Sequence, residues 1–209
     1  MANWDYKDFY KKYDMNGEIE IGTGVVKVHD IFNPLPAFMK TADLIFCDPP
    51  CSLGNINTFY TKADIEEKQS DYDKFKNRFF ECIDEIKPET IAVEVFASNK
   101  ESFLNEIMSR YSFVKIYNST YYHRRDRKCW IIVGSNTPVD FKIEGIDEED
   151  AIDWICKNAD YNCIGDLCMG RGLVGFGANK YGRKFVGTEL NKKRLAVLIE
   201  RINKGYKNV

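Results

Sequence analysis

The chain has 209 residues, 44% hydrophobic and 14% aromatic, enough apolar surface for a folded core and too much for a disordered tail. Thirty basic side chains against thirty-two acidic ones give a formal charge of −2, which argues against gripping nucleic acid by bulk charge while leaving room for a local basic groove. No apolar run approaches the ~18 residues of a membrane span, and the opening MANWDYKDFYKKYD lacks the apolar core of a secretory signal. The seven cysteines contain no Cys-x-x-Cys pair, so neither a disulfide framework nor a zinc site is indicated. Free thiols imply a reducing compartment, and the expectation is a soluble, cytoplasmic protein of one domain.

Short apolar runs alternate with amphipathic stretches, the pattern of an α/β sandwich. Strands are expected at Val25–His29, Leu44–Cys47, Ile91–Phe96, Phe113–Tyr117, Trp130–Val133, Cys163–Leu167 and Phe185–Thr188. Helices are expected at Asp71–Ile86, Ser102–Tyr111, Glu148–Asn158, Leu173–Tyr181 and Lys192–Lys204. In the first of these Tyr72, Phe75, Phe79, Cys82, Ile83 and Ile86 recur at three- and four-residue spacing, and Pro88 stops it. Phe113–Tyr117 and Trp130–Val133 leave no room for a crossover helix, so they should pair as an antiparallel hairpin. The expected fold class is α/β, a Rossmann-like sandwich with a mostly parallel seven-stranded sheet and one antiparallel strand. Between Pro49 and Ser70 no period is legible, and this stretch reads as a long loop.

Seven of the fourteen glycines fall between Gly165 and Gly187. The segment CIGDLCMGRGLVGFGANKYGRKFVGTEL reads as strand, glycine turn, helix and strand, closing on Glu189. That is the mechanical layout of a nucleoside-cofactor site, with glycines bringing the backbone close to the ligand and a carboxylate accepting from two ribose hydroxyls. No third glycine stands at dinucleotide-fingerprint spacing, and no Gly-Lys-Ser/Thr is present. A tight strand–helix turn also needs glycine for packing alone. A second apolar strand, in DLIFCDPPC, is stopped by Asp48-Pro49-Pro50, because proline cannot continue a central strand. The Asp48 carboxylate and the Pro49 carbonyl would then face the C-terminal edge of the sheet, side by side. Two such acceptors suit an exocyclic amino group, which offers two N–H donors. A strand-ending turn with a solvated aspartate is the plain alternative.

Together the two motifs resemble the amino-group DNA methyltransferases in their permuted (beta-type) arrangement, the N6-adenine/N4-cytosine family. In that family Asp-Pro-Pro followed by an aromatic precedes the cofactor glycine motif. Here DPPC at 48–51 precedes DLCMGRG at 166–172 and GRKFVGTELN at 182–191, and the resemblance spans residues 25–202. It implies S-adenosylmethionine as cofactor and methyl transfer to a nucleobase amine, with N6 of adenine in DNA the expected target and N4 of cytosine or RNA adenine as alternatives. It implies a catalytic group of Asp48, Pro49, Pro50 and Cys51. Around the cofactor it places Asp30, Asp48, Asp166, Cys168, Gly170, Gly172, Glu189 and Leu190, with Asp30 toward adenine and Glu189 on the ribose.

Cys51 departs from the family, whose aromatic there stacks on the flipped-out base, a contact worth roughly 1–3 kcal/mol. Phe59 and Tyr60 are nearby aromatics that would substitute. A Pro-Cys pair also raises cytosine-5 methylation through a Cys51 thiolate as a lesser reading. Tyr121–Lys128 interleaves aromatics with basic residues at the hairpin tip, so Tyr122, Arg124, Arg125 and Arg127, with Phe59, Tyr60 and Lys62, are the expected nucleic-acid contacts, and Lys68 would lie along the same crevice. Little length is left for a separate target-recognition domain. Recognition would then come from short loops, a homodimer or a second subunit. A non-catalytic subunit that keeps the fold is the reading from another class. Trp4–Tyr13 should pack onto the sheet or an interface. His29 and His123 lack metal spacing, and no metal is expected.

Overall fold

The computed structural model describes residues 8–206; Trp4 and the rest of residues 1–7, and residues 207–209, lie outside that range. In chain order the elements are β1 (Glu18–Ile21), β2 (Gly24–Val28), β3 (Leu44–Cys47), α1 (Leu53–Lys62), α2 (Tyr72–Ile86), β4 (Thr90–Val95), α3 (Lys100–Met108), β5 (Phe113–Tyr121), β6 (Arg124–Ser135), α4 (Glu148–Asn158), β7 (Cys163–Asp166), α5 (Leu173–Lys180), β8 (Lys184–Glu189) and α6 (Lys192–Lys204). Short 3-10 turns at Phe9–Lys12 and Ala37–Thr41 complete the set.

The strands form one sheet of order β1-β2-β8-β7-β3-β4-β6-β5. From β2 to β4 every neighbouring pair is parallel, while β6 runs antiparallel to both β4 and β5. All seven expected strands are present. The eighth strand, β1, was not expected; it pairs antiparallel with β2 through a tight Gly22-Thr23 turn. Its four residues, EIEI, are too short a run for alternation to stand out. β5 and β6 run further than expected, up to a two-residue turn at Tyr122-His123.

Alternation along β3 divides the core. Ile45 and Cys47 face the helices α1, α2 and α3, where Phe79, Phe80 and Phe103 pack ring to ring. Leu44 and Phe46 face α4, α5 and α6. Both faces of the sheet are covered, so central strands such as β4 are buried throughout and read as continuous apolar runs. Phe9 packs on Ala196 and Val197 of α6, and Tyr13 donates to Glu200 at 2.8 Å. The described part of the N-terminal aromatic stretch therefore covers a helix rather than the sheet.

The region read as a long loop, Pro49–Ser70, contains α1. Ser52 caps it by accepting from the Asn55 backbone N–H, and only Ile56 and Tyr60 are buried on it. Two apolar anchors in ten residues are too few to show a helical period in sequence. Asp71, expected as the first residue of the next helix, is its N-cap. Lys87, in a left-handed conformation, ends that helix ahead of Pro88.

Gly172 opens α5 with φ +71°, and a Cβ there would stand 2.6 Å from the Leu198 Cβ. Left-handed backbone costs a non-glycine residue about 1–2 kcal/mol and overpacking about 1–3 more. Gly172→Ala should therefore lower unfolding free energy by about 2–4 kcal/mol in urea denaturation. Gly182→Ala, at φ +66° with open space around it, should lose only the backbone part.

Candidate active site

A single crevice of about 560 Å³ opens at the C-terminal ends of the parallel strands. It lies where β7 and β3 meet and the chain changes direction across the sheet, the place where open α/β sheets bind ligands. Most of the expected site residues line it. Asp30 follows β2, the segment 48–51 follows β3, Asp166 ends β7 with Cys168 and Gly170 after it, and Glu189 ends β8 with Leu190 after it. Phe59, Tyr60 and Lys62 come from α1, and Tyr122, Arg124 and Arg127 from the β5–β6 hairpin. Gly172 is absent from the lining and serves the α5 turn instead. The Arg125 side chain lies outside the described residues.

The glycine turn is tied to the neighbouring strand. Glu189 accepts from the Gly170 N–H at 2.6 Å and the Asn191 N–H at 2.9 Å, and Asp166 accepts from the Cys168 N–H at 2.9 Å. Gly170 has φ +57°, and the nearest atom to a Cβ built there is the Arg194 guanidinium at 3.6 Å, so the turn leaves a backbone cradle open to the crevice. Burial pushes the Asp166 carboxyl up to about 7, against the Cys168 N–H that favours its anion. Burial raises Glu189 as well, opposed by Arg194.

Pro50 offers its carbonyl to the Tyr72 hydroxyl at 2.9 Å, and Tyr72 in turn accepts from the Asn99 amide, which fixes the proline turn from α2. Burial pushes Asp48 up to about 7, with the Arg194 and Arg127 charges pulling the other way. Cys51 bonds Asn55 Oδ1 at 2.6 Å, and burial together with the Asp48 charge raises its thiol above the ordinary value. That environment disfavours a thiolate, so the geometry gives no support to cytosine-5 chemistry through Cys51.

Two placements differ from the sequence expectation. Tyr60 is buried and donates to Asp30 Oδ2 at 2.7 Å, so it forms wall rather than a free stacking face. Lys68 bonds the Ile65 carbonyl and does not line the crevice. The aromatics beyond Asp48 come from elsewhere: Phe96 and Tyr121 pack edge to face at 5.2 Å, Tyr122 packs edge to face on Tyr121 at 4.6 Å, and the Arg127 guanidinium lies 4.3 Å from the Tyr121 ring. These line the crevice where Cys51 supplies no ring.

The hairpin tip is strained and pinned. Tyr122 and His123 both have positive φ, 48° and 58°, at positions where two-residue turns favour Asn-Gly. The His123 N–H donates to Asp147 Oδ2 at 2.6 Å, and the His123 ring meets Asp147 and Glu149 at 3.3 and 2.9 Å. Thus His123, unremarkable by spacing, anchors the tip on the start of α4.

The lining residues that sequence reasoning missed include Phe96, Arg194 on α6, Glu94 on β4 and Glu148 at the start of α4; the two acids stand out. Both are buried, at 1% and 2% exposure. An acid inside the apolar run IAVEVF was the legible signal for Glu94; nothing distinguished Glu148 within the acidic run DEED.

No protein-family model matches the chain, and no curated protein matches it. Solved structures do. The PvuII DNA methyltransferase (cytosine-N4-specific) aligns with TM-score 0.58 at 10% identity, over 88% of this chain and 91% of that one. TTHA0409 of Thermus thermophilus, described as a DNA modification methylase, gives TM-score 0.57 at 12% identity, over 81% and 90%. The M1.HpyAVI–SAM complex gives TM-score 0.55 at 15% identity, over 85% and 98%. At these identities the likeness is one of architecture: the chain has the fold of these DNA methyltransferases.

Proposed function

We propose that the protein transfers a methyl group from S-adenosylmethionine to the exocyclic amine of a nucleobase, with N6 of adenine in DNA as the expected target. The observation that carries this reading is one crevice holding the Asp48-Pro49 acceptor pair and the Gly170 cradle together with Glu189. The volume lies in the usual range for small-molecule sites. S-adenosylmethionine, when bound, supplies a methyl group on a positively charged sulfur. Glu189, Asp166 and the Gly170 backbone would hold it, and the open cradle at Gly170 fits that role.

Asp48 and the Pro49 carbonyl each accept one N–H of the target amine. Held so, the nitrogen directs its lone pair out of the ring plane toward the incoming methyl. The bound cofactor would supply the methyl group to that lone pair, its sulfur keeping the bonding electrons, and the Asp48 carboxylate would take the surplus N–H proton. Arg127 and Arg194 favour the anionic form of Asp48 that this step requires. Phe96, Tyr121 and Tyr122 offer aromatic surface for an extruded base, and Arg124 and Arg127 offer charge for its phosphates. Target recognition would come through the hairpin and α1, whose side chains line the crevice, or through a second copy or partner subunit. Absence of the family aromatic at Cys51 is what favours the second reading, a subunit that keeps the fold without turnover.

Nucleoside mass spectrometry of unmethylated DNA incubated with the protein and cofactor tests the proposal. N6-methyladenine is the expected product, N4-methylcytosine would change the base, and no methylated nucleoside from DNA or RNA would favour the non-catalytic subunit. Asp48→Ala should lower kcat by at least roughly a hundredfold, as loss of a charged hydrogen-bonding acceptor implies, while cofactor affinity by calorimetry stays near wild type. Glu189→Ala should instead weaken cofactor binding by roughly tenfold or more. Because a protonated Asp48 cannot take up the surplus amine proton, kcat should rise as pH climbs through about 7 and fall roughly tenfold per unit below it.

A further inference from the structure

Glu94 and Glu148 reach the crevice from opposite directions, one from the end of β4 and one from the first turn of α4. Their carboxyl oxygens and the Cys129 sulfur lie within 4.8 Å of one another. Glu94 Oε1 and Glu148 Oε2 are shielded from water and have no partner that donates a hydrogen. Two buried carboxylates side by side repel; with both carboxyls protonated, one O–H bridges the pair and the other is left to donate.

The charges around the pair agree. Burial and the Asp48 charge just after β3 hold both carboxyls above the usual carboxylate range, and Asp147 and Glu149 add to this at Glu148. Arg127 and Arg194 bear on Asp48. The crevice therefore places its negative charge on Asp48 and keeps neutral acids next to it.

We propose that Glu94 and Glu148 act as a neutral acid pair that presents a hydrogen-bond donor beside the Asp48 acceptor, and so select a target whose amine adjoins a ring nitrogen bearing a lone pair. This deepens the methyl-transfer reading and rests on it. Asp48 and Pro49 ask the substrate for N–H groups; the acid pair asks the adjoining ring atom for an acceptor. Adenine and cytosine carry that combination on the edge of the ring. Approached on its N1 side, the 2-amino group of guanine adjoins a ring N–H, which would meet the acid O–H donor to donor. An alkyl amine has no ring nitrogen to offer.

The test has two arms. In the first, infrared difference spectra compare wild type with Glu94→Gln at pH 7.5. A protonated-carboxyl band that shifts in heavy water and loses intensity in the variant is expected. Its absence from wild type, or its persistence unchanged in the variant, overturns the proposal.

In the second arm, the accepting oligonucleotide carries 1-deaza- or 7-deazaadenine at the methylated position, or 3-deazacytosine if cytosine is the product. Replacing the paired ring nitrogen should lower wild-type kcat/KM by roughly tenfold to a hundredfold. Glu148→Gln keeps a neutral donor and should stay within about threefold of wild type and retain the discrimination, whereas Glu148→Leu should lose both. Circular dichroism melts and cofactor calorimetry establish that each variant is folded. Glu148→Gln failing as Glu148→Leu does would show that an anion is the working form and overturn the proposal. Deaza analogues that react as well as the natural base would also overturn it and leave the methyl-transfer reading intact. Wild type that methylates nothing would sink that reading, and the proposal with it.

Discussion

Strands β3 and β7 lie side by side although Asp43 and Cys163, at their starts, are 120 positions apart in the chain. Leu44 pairs with Ile164 and Ile45 with Gly165. The Asp43 carboxylate locks the approach by accepting from the Asn162 and Cys163 backbone N–H groups. A Cβ at Gly165 would stand 2.5 Å from Ile45 Cδ1 and 2.8 Å from Ala42 Cβ, so glycine makes room there for the side chains packed over the paired strands. This contact places the Asp48-Pro49 turn and the Asp166 turn at the rim of one crevice. Without it the acceptor pair and the glycine cradle would be separate surface features.

Bringing them together concentrates acidic groups where water is largely excluded. Asp48, Asp166, Glu189, Glu94 and Glu148 all have their carboxyls held above their ordinary values, chiefly by burial. The structure meets this cost in different ways. Backbone N–H groups serve Asp166 and Glu189, guanidinium charges from β6 and α6 act on Asp48, and in the proposal above protonation of both carboxyls serves the Glu94–Glu148 pair. Each solution leaves a different hydrogen-bonding character: fixed acceptors at the cradle, an anion at the proline turn, a neutral donor beyond it. The site can thereby read both the donors and the acceptor of one aromatic edge.

The hairpin shows how the far wall is held. Tyr122 and His123 occupy left-handed backbone that ordinary side chains avoid, at about 1–2 kcal/mol each. Contacts of His123 with Asp147 and Glu149 hold the turn against that cost and tie it to the same first turn of α4 that carries Glu148. The aromatic surface and the acid pair are therefore positioned by one junction. Cys51, small and bonded to Asn55, leaves the space in front of that surface open.

Local chemistry made much of this legible in the sequence alone. Prolines end β3 after Asp48, glycines mark the turn after β7, and Glu189 closes β8, so the seven main strands, the antiparallel hairpin and most of the crevice lining could be read from residue types and spacing. What the sequence left open depends on contacts distant in the chain. Helix α1 shows no period because only Ile56 and Tyr60 meet the core, and Tyr60 becomes wall rather than stacking surface because Asp30, thirty positions earlier, takes its hydroxyl. Gly172 leaves the lining because α6 packs against it. Glu94 and Glu148 become partners only when β4 and α4 converge. Strand breaks and turns are dictated by each residue's own backbone preferences, whereas the protonation and partners of buried polar groups depend on which neighbours the fold brings within hydrogen-bonding reach.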